Sequence, residues 1–202
     1  SGNVLISSSN IDVTASKTTI DGDIETTTGE IRIAASGKYV RHLNALVADV
    51  LLGASSFQIN PGYTANRSAD GSYIIVDGAL DNTVILTVDL TPSMVESAVM
   101  SSWYAYASSN DASTIVSGDL YERAFGSIAS AASSSGSQNT SSSLVTIDQL
   151  TMDSGGLSVL GNIQKSVNVY TVSITITVTG TYKCHFYGIR IVGTNNEIQR
   201  SG

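Results

Sequence analysis

From Tyr170 to Thr179 the chain alternates without a break. Tyr170, Val172, Ile174, Ile176 and Val178 occupy one parity, and Thr171, Ser173, Thr175, Thr177 and Thr179 the other. Successive side chains on a strand point to opposite faces, so this run reads as a half-buried strand with a hydroxyl-lined outer face. Val84, Leu86, Val88 and Leu90 repeat the pattern after a turn at Asp81-Asn82, and Pro92 then stops that strand or places it at an edge. Tyr73-Ile74-Ile75-Val76 is a shorter strand between Gly71 and Gly78. After Gly180-Thr181, the segment from Tyr182 to Val192 is expected to return as the partner of the first strand. Its apolar residues fall on both parities (Cys184 and Phe186; Tyr187, Ile189 and Ile191), as for a strand covered on both sides. Strands at a spacing of roughly 8–12 residues with turns between them predict a mainly β fold, a jelly-roll-like β-sandwich head over residues 55–202. Within it, the stretch from Met94 to Ala107 is ambiguous: Met94, Val95, Ala98 and Val99 fit a helical turn or two, and Trp103-Tyr104-Ala105-Tyr106 fits a strand. The Ser-rich stretch 127–143 reads as a surface loop or linker.

The first 38 residues have a different texture. Val4/Ile6, Ile11/Val13 and Ile31/Ile33 are pairs at period two, separated by Ser, Asn, Asp and Gly. One such ribbon buries too little to stand alone, whereas three wound about an axis would bury a continuous stripe. Between ribbon and head, over residues 39–54, Val40, Leu43, Val47 and Val50 are spaced 3, 4, 3. That is the seam of a coiled coil, so a helical neck on a three-fold axis is expected there, with an amphipathic helix packed on the sandwich as the alternative.

Composition narrows the function. Charged residues are only 13% of the chain, against about 25% in an average domain. Hydrophobic residues make up 42%, enough to build a core. The ten Lys and Arg residues are scattered, and the formal charge is −7. Nothing there would neutralise a phosphate backbone, so no nucleic-acid partner is expected. No apolar run approaches the ~20 residues of a spanning helix, and no membrane insertion is expected. The lone Cys184 excludes an internal disulfide and reads as a small core residue. The chain opens at Ser1 without a methionine, as expected of a fragment or a processed product.

No catalytic motif stands out. Gly156-Leu157-Ser158 lacks the second glycine of a nucleophile elbow, there is no phosphate-binding loop, and the two histidines, His42 and His185, have no ligand spacing. No metal or other cofactor is expected. Asp21-Gly22-Asp23 reads as a polar turn. Asp111, Asp119 and Glu122 are the acids that a glycosidase-like pair would draw on, although turn and surface positions are the better reading of them. The aromatic cluster points elsewhere. Trp103, Tyr104 and Tyr106 are followed by Asn110 and Asp111, which suggests flat rings for a sugar's apolar face beside acceptors for its hydroxyls. Tyr104 and Tyr106 share one strand face and Trp103 takes the other, and the favoured alternative is that Trp103 is simply core with the tyrosines at its rim. Tyr121 with Arg123, and Tyr182 with Tyr187, are weaker pairs of the same kind.

The run ISSSNIDVTASKTTIDGDIETTTGEIRIAAS, Ile6 to Ser36, resembles the stalks of bacteriophage tail fibres and tailspikes, above all in DGDI…GEIRI. The segment GTYKCHFYGIRI also resembles the closing strands of jelly-roll carbohydrate-binding modules. The first resemblance implies an intertwined homotrimeric β-stalk on the virion tail. Its head would bind a bacterial surface polysaccharide or an outer-membrane receptor, or in some members cleave the polysaccharide. A purely structural trimerisation tip is the remaining possibility.

Overall fold

The alternating run lies at the centre of one of two antiparallel sheets. The computed structural model describes residues 41–127, 132–153 and 160–197. The chain divides into two units, Ser1–Lys38 and Tyr39–Gly202; the expected stalk ribbon, the Asp21-Gly22-Asp23 turn and Val40 lie outside the described residues. The strands are β1 (Arg41–Val47), β2 (Val50–Gly53), β3 (Gln58–Ile59), β4 (Asn66–Arg67), β5 (Ile74–Asp77), β6 (Thr83–Asp89) and β7 (Val99–Ser109). They continue as β8 (Ile115–Ala124), β9 (Ser134–Asn139), β10 (Ser143–Thr151), β11 (Leu160–Asn162), β12 (Asn168–Thr177) and β13 (Lys183–Glu197). The first sheet has the order β10-β7-β13-β5-β4, with β11 also on β7 and with β1 and β2 on β13; the second has the order β3-β6-β12-β8-β9. Without the short edge strands, β5-β13-β7-β10 is stacked on β6-β12-β8-β9. The chain changes sheet at nearly every connection, which is the path of a jelly roll.

The core lies between the sheets. β12 contributes Tyr170, Val172, Ile174 and Ile176, β6 contributes Val84, Leu86 and Val88, and β13 contributes Cys184, Phe186, Ile189 and Ile191, all buried. Their burial out of water is the main stabilising term of the sandwich. Burial also pushes the Cys184 thiol up to about 12, which leaves it an inert core group. Pro92 ends β6 as expected, standing at the start of a short 3-10 turn, Thr91–Ser93.

Four expectations are corrected. Residues 41–53 form strands, not a helical neck: β1 pairs with Thr194–Glu197 and β2 with Gly188–Ile191 of β13. A helix of two heptads is marginal alone, and the edge of β13 offers a full ladder of hydrogen bonds instead. The proposed seam is dispersed accordingly. Val50 faces the core at 3% exposure, Val47 is 80% exposed, and Leu43 lies on β1. Secondly, β12 and β13 are not hairpin partners. β12 is already flanked by β6 and β8, so the turn after Thr179 carries the chain across to the other sheet.

Thirdly, β13 is not covered on both faces. Phe186 pairs with Ala107 and Gly188 with Tyr106, so Tyr187 is an extra residue, a β-bulge. The bulge moves the inward parity from Cys184 and Phe186 to Ile189 and Ile191. Fourthly, the Ser-rich stretch contains strand β9, paired to β8 from Ser134↔Leu120 to Asn139↔Ile115. Small side chains suit this edge, because a Cβ at Gly136 would lie 2.5 Å from the Met152 backbone. Gly136 thus lets β9 close down on the chain just after β10.

Candidate functional site

The bulge in β13 also shapes the outer surface of the first sheet. Gly188 has φ +142°, and a Cβ there would lie 2.1 Å from the Leu52 carbonyl oxygen. Only glycine fits. Cross-strand registers place Gly53, Gly188, Tyr106 and Gln149 in one row across β2, β13, β7 and β10. Two adjacent glycines remove the side chains from one end of that row. The result is a groove of about 400 Å³ with Gly53 and Gly188 as its floor, Tyr106 and Tyr187 on one side, and Leu51 and Leu52 on the other.

The groove's polar groups are held in place. Tyr106 donates its hydroxyl hydrogen to Gln149 Oε1 at 3.4 Å, and the Tyr187 hydroxyl lies 3.2 Å from Ser108 Oγ. Ser108 in turn donates to the Leu144 carbonyl at 3.1 Å. Tyr73 stacks on His185 with centroids 4.5 Å apart and meets Tyr187 at 5.5 Å, so an aromatic strip runs up to the groove from β5. Burial, with help from Lys183, lowers the His185 pKa and favours its neutral form. The next row is Leu51, Arg190, Tyr104 and Thr151. Arg190 there donates to Asp49 Oδ2 from Nε at 3.0 Å and from Nη2 at 2.6 Å.

The structure divides the five sequence-derived site residues. Tyr104 and Tyr106 are on the outer face, and Tyr106 lines the groove. Trp103 is withdrawn as a sugar platform, because it is fully buried. Its ring lies under β8, where a Cβ at Gly118 would be 2.4 Å from it, and its Nε1–H donates to Ser134 Oγ at 3.1 Å. Asn110 and Asp111 clamp turns together at one end of the sandwich. Asn110 Oδ1 accepts from the Lys183 backbone N–H at 2.7 Å, and Asp111 Oδ2 accepts from Thr179 Oγ1 at 2.8 Å and from Ser113 Oγ. They stand roughly 13 Å along β7 from Tyr106.

Gly188, Leu51, Leu52 and Tyr73 were not singled out from the sequence. The signal for the groove was the parity break in Phe186-Tyr187-Gly188-Ile189, which reads as a bulge once its glycine is given weight.

The candidate acids do not converge. Asp111 is in its turn clamp, Asp119 is on the outer face of β8, and Glu122 accepts from the Tyr170 hydroxyl at 2.9 Å and from Asn168 Nδ2 at 2.6 Å. Asp119 and Glu122 are three residues apart on β8 and therefore face opposite sides of the sheet, and Asp111 is in the turn before that strand, so no two of them flank one site as a carboxylate pair must. Among the described residues, no group of three or more His, Cys, Asp or Glu side chains is placed to hold a metal ion.

Several carboxylates stabilise turns and edges. Asp70 is lowered to about 2, first by the Ser72 backbone N–H and then by the Ser68 hydroxyl. Asp49 is lowered by Arg190, Asp77 by the Ala79 N–H and Lys183, and Asp111 by Ser113 and Thr179. A lowered folded pKa stabilises the fold above the unfolded value, and that contribution disappears as the pH falls through the folded one. The melting temperature is therefore expected to fall progressively below about pH 4. A melting temperature unchanged down to pH 2 would contradict these assignments.

No protein-family model and no curated protein sequence matches the chain. Among solved structures it is similar to a family two carbohydrate esterase from Cellvibrio japonicus, at 11% identity and TM-score 0.42 over 76% of this chain. This chain spans 37% of that esterase's length. It is also similar to the CBM36-1 domain of a multidomain xylanase from the hindgut metagenome of Trinervitermes trinervoides. There the identity is 13% and the TM-score 0.40, covering 71% of this chain and 95% of that one.

Proposed function

We propose that this chain is the receptor-binding end of a bacteriophage tail fibre or tailspike, a homotrimer of the virion tail that grips a bacterial surface polysaccharide. The observation that carries the binding role is the groove over Gly188. Its tyrosines offer flat rings to the C–H face of a sugar, and Gln149 in the same row and Arg190 in the next offer partners for hydroxyls. The stalk-like run from Ile6 to Ser36 supports the tail-fibre assignment and the trimer. A single shallow groove binds weakly, and three on one axis turn weak contacts into firm attachment.

Light scattering on the purified chain is expected to give about three times 21.0 kDa. A monomer at every concentration would remove the trimer from the proposal. Tyr106→Ala and Tyr187→Ala are each expected to weaken binding to host cells by roughly 2- to 13-fold per site, the worth of one aromatic contact, without changing the circular dichroism. Unaltered binding in both variants would move the receptor site off this face.

A further inference from the structure

The opposite face of the sandwich carries a second groove. On β12, the outward parity is Thr171, Ser173, Thr175 and Thr177, and the registers align it with outward residues of β6 and β8. One row reads Gln58, Thr87, Ser173, Asp119 and Ser135, and the next reads Asp89, Thr171 and Tyr121. A cavity of about 330 Å³ opens there, lined by Gln58, Thr87, Asp89, Thr171, Tyr121 and Arg123. From β3 to β8 it crosses three strand intervals, roughly 14 Å. That length suits a short oligosaccharide better than a single ring.

Two of its side chains also serve the fold: Thr87 donates its hydroxyl to Asn60 Oδ1 at 2.8 Å, and Asp89 Oδ1 accepts from the Thr91 backbone N–H at 2.9 Å. That leaves Gln58, Tyr121 and Arg123 as the groups turned to the cavity. Tyr121 shares the outward face with Asp119, two residues back, and burial together with the neighbouring Asp119 carboxylate raises its pKa and keeps the phenol neutral beside the cavity. The ion pairs among the described residues are Lys183–Asp77 and Arg190–Asp49, so Arg123 keeps a guanidinium without a carboxylate partner among them. Amide, carboxylate, guanidinium and hydroxyl groups thus surround one tyrosine ring, each able to bridge neighbouring hydroxyls of a sugar. Charge narrows the ligand further. Asp89 and Asp119 outnumber Arg123, and the whole chain carries −7, which disfavours an acidic sugar.

We propose that the outer face of the second sheet is a second carbohydrate site, which takes a neutral oligosaccharide across β3, β6, β12 and β8. It shares a ligand class with the groove over Gly188 but none of its residues, so either site can fail without the other.

The test is a titration of the isotopically labelled chain with cellopentaose, mannopentaose and xylopentaose, and with trigalacturonate as the anionic control, followed by amide chemical shifts. At least one neutral probe is expected to move the amides of Thr87, Thr171 and Ser173. Tyr121→Ala and, independently, Arg123→Gln should each weaken that binding, the first by roughly 2- to 13-fold, and Tyr106→Ala should leave it intact. Shifts confined to the Tyr106–Gly188 region would overturn the second site and leave the first standing. Shifts caused by trigalacturonate alone would overturn the neutral assignment, and the absence of any shift on the second sheet would overturn the proposal.

Discussion

Gly188→Ala is expected to destabilise the sandwich by about 3 kcal/mol or more, a large part of the ~5–15 kcal/mol that holds a domain together. Two costs add at this position. The backbone angle of +142° is one that side chains rarely adopt, and the new Cβ would meet the Leu52 carbonyl at 2.1 Å, a backbone atom that cannot swing aside. Relief requires β2 to leave β13, or the bulge to disappear. Without the bulge, everything after Tyr187 changes face, turning Ile189 and Ile191 to solvent and Arg190 toward the core. Urea denaturation measures the loss directly, and a change below about 1 kcal/mol would show that the bulge is not what holds β13 in register.

Trp103→Ala is the second large effect, at about 3–5 kcal/mol. The indole fills the space left by Gly118 between the sheets, and its removal opens a cavity and strips the buried Ser134 hydroxyl of its partner. The reciprocal change, Gly118→Ala, drives a Cβ to 2.4 Å from the same ring and is expected to cost about 1–3 kcal/mol by overpacking. The two positions are coupled, so combining Gly118→Ala with Trp103→Leu should cost less than the sum of the single changes. Strict additivity in a double-mutant cycle would contradict the packing of Trp103 on Gly118. Sugar binding is expected to survive in any Trp103 variant that still folds, because the ring does not reach the surface.

Local pattern was a reliable guide where the nearest neighbours of a residue decide its fate. β12 and β6 alternate in the sequence and alternate in burial, and Pro92 ends β6 where its missing N–H requires. Pattern failed where a partner far along the chain decides. The 3-4-3 spacing from Val40 to Val50 is real, yet β2 pairs with residues more than a hundred positions away, and a short helix cannot compete with that ladder. The serines of β9 are weak strand formers that owe their place to β8 and to Gly136.

The site followed the same rule. Strand parity put Tyr104 and Tyr106 on one face and Trp103 on the other, and this much was legible. The groove itself was not, since it depends on Gly53 and Gly188 meeting across two strands whose pairing only the tertiary fold defines. Asn110 and Asp111 have the chemistry of sugar ligands, but their oxygens are taken up by Lys183, Ser113 and Thr179.

The most direct test of the outer-face groove as a receptor site is an array of bacterial surface polysaccharides, probed with the native chain and with the Tyr106→Ala/Tyr187→Ala double variant. The native chain is expected to mark at least one polysaccharide, and the folded double variant is expected to lose that signal. A double variant that binds the same polysaccharide as strongly as the native chain, or a native chain that binds none, would contradict the assignment.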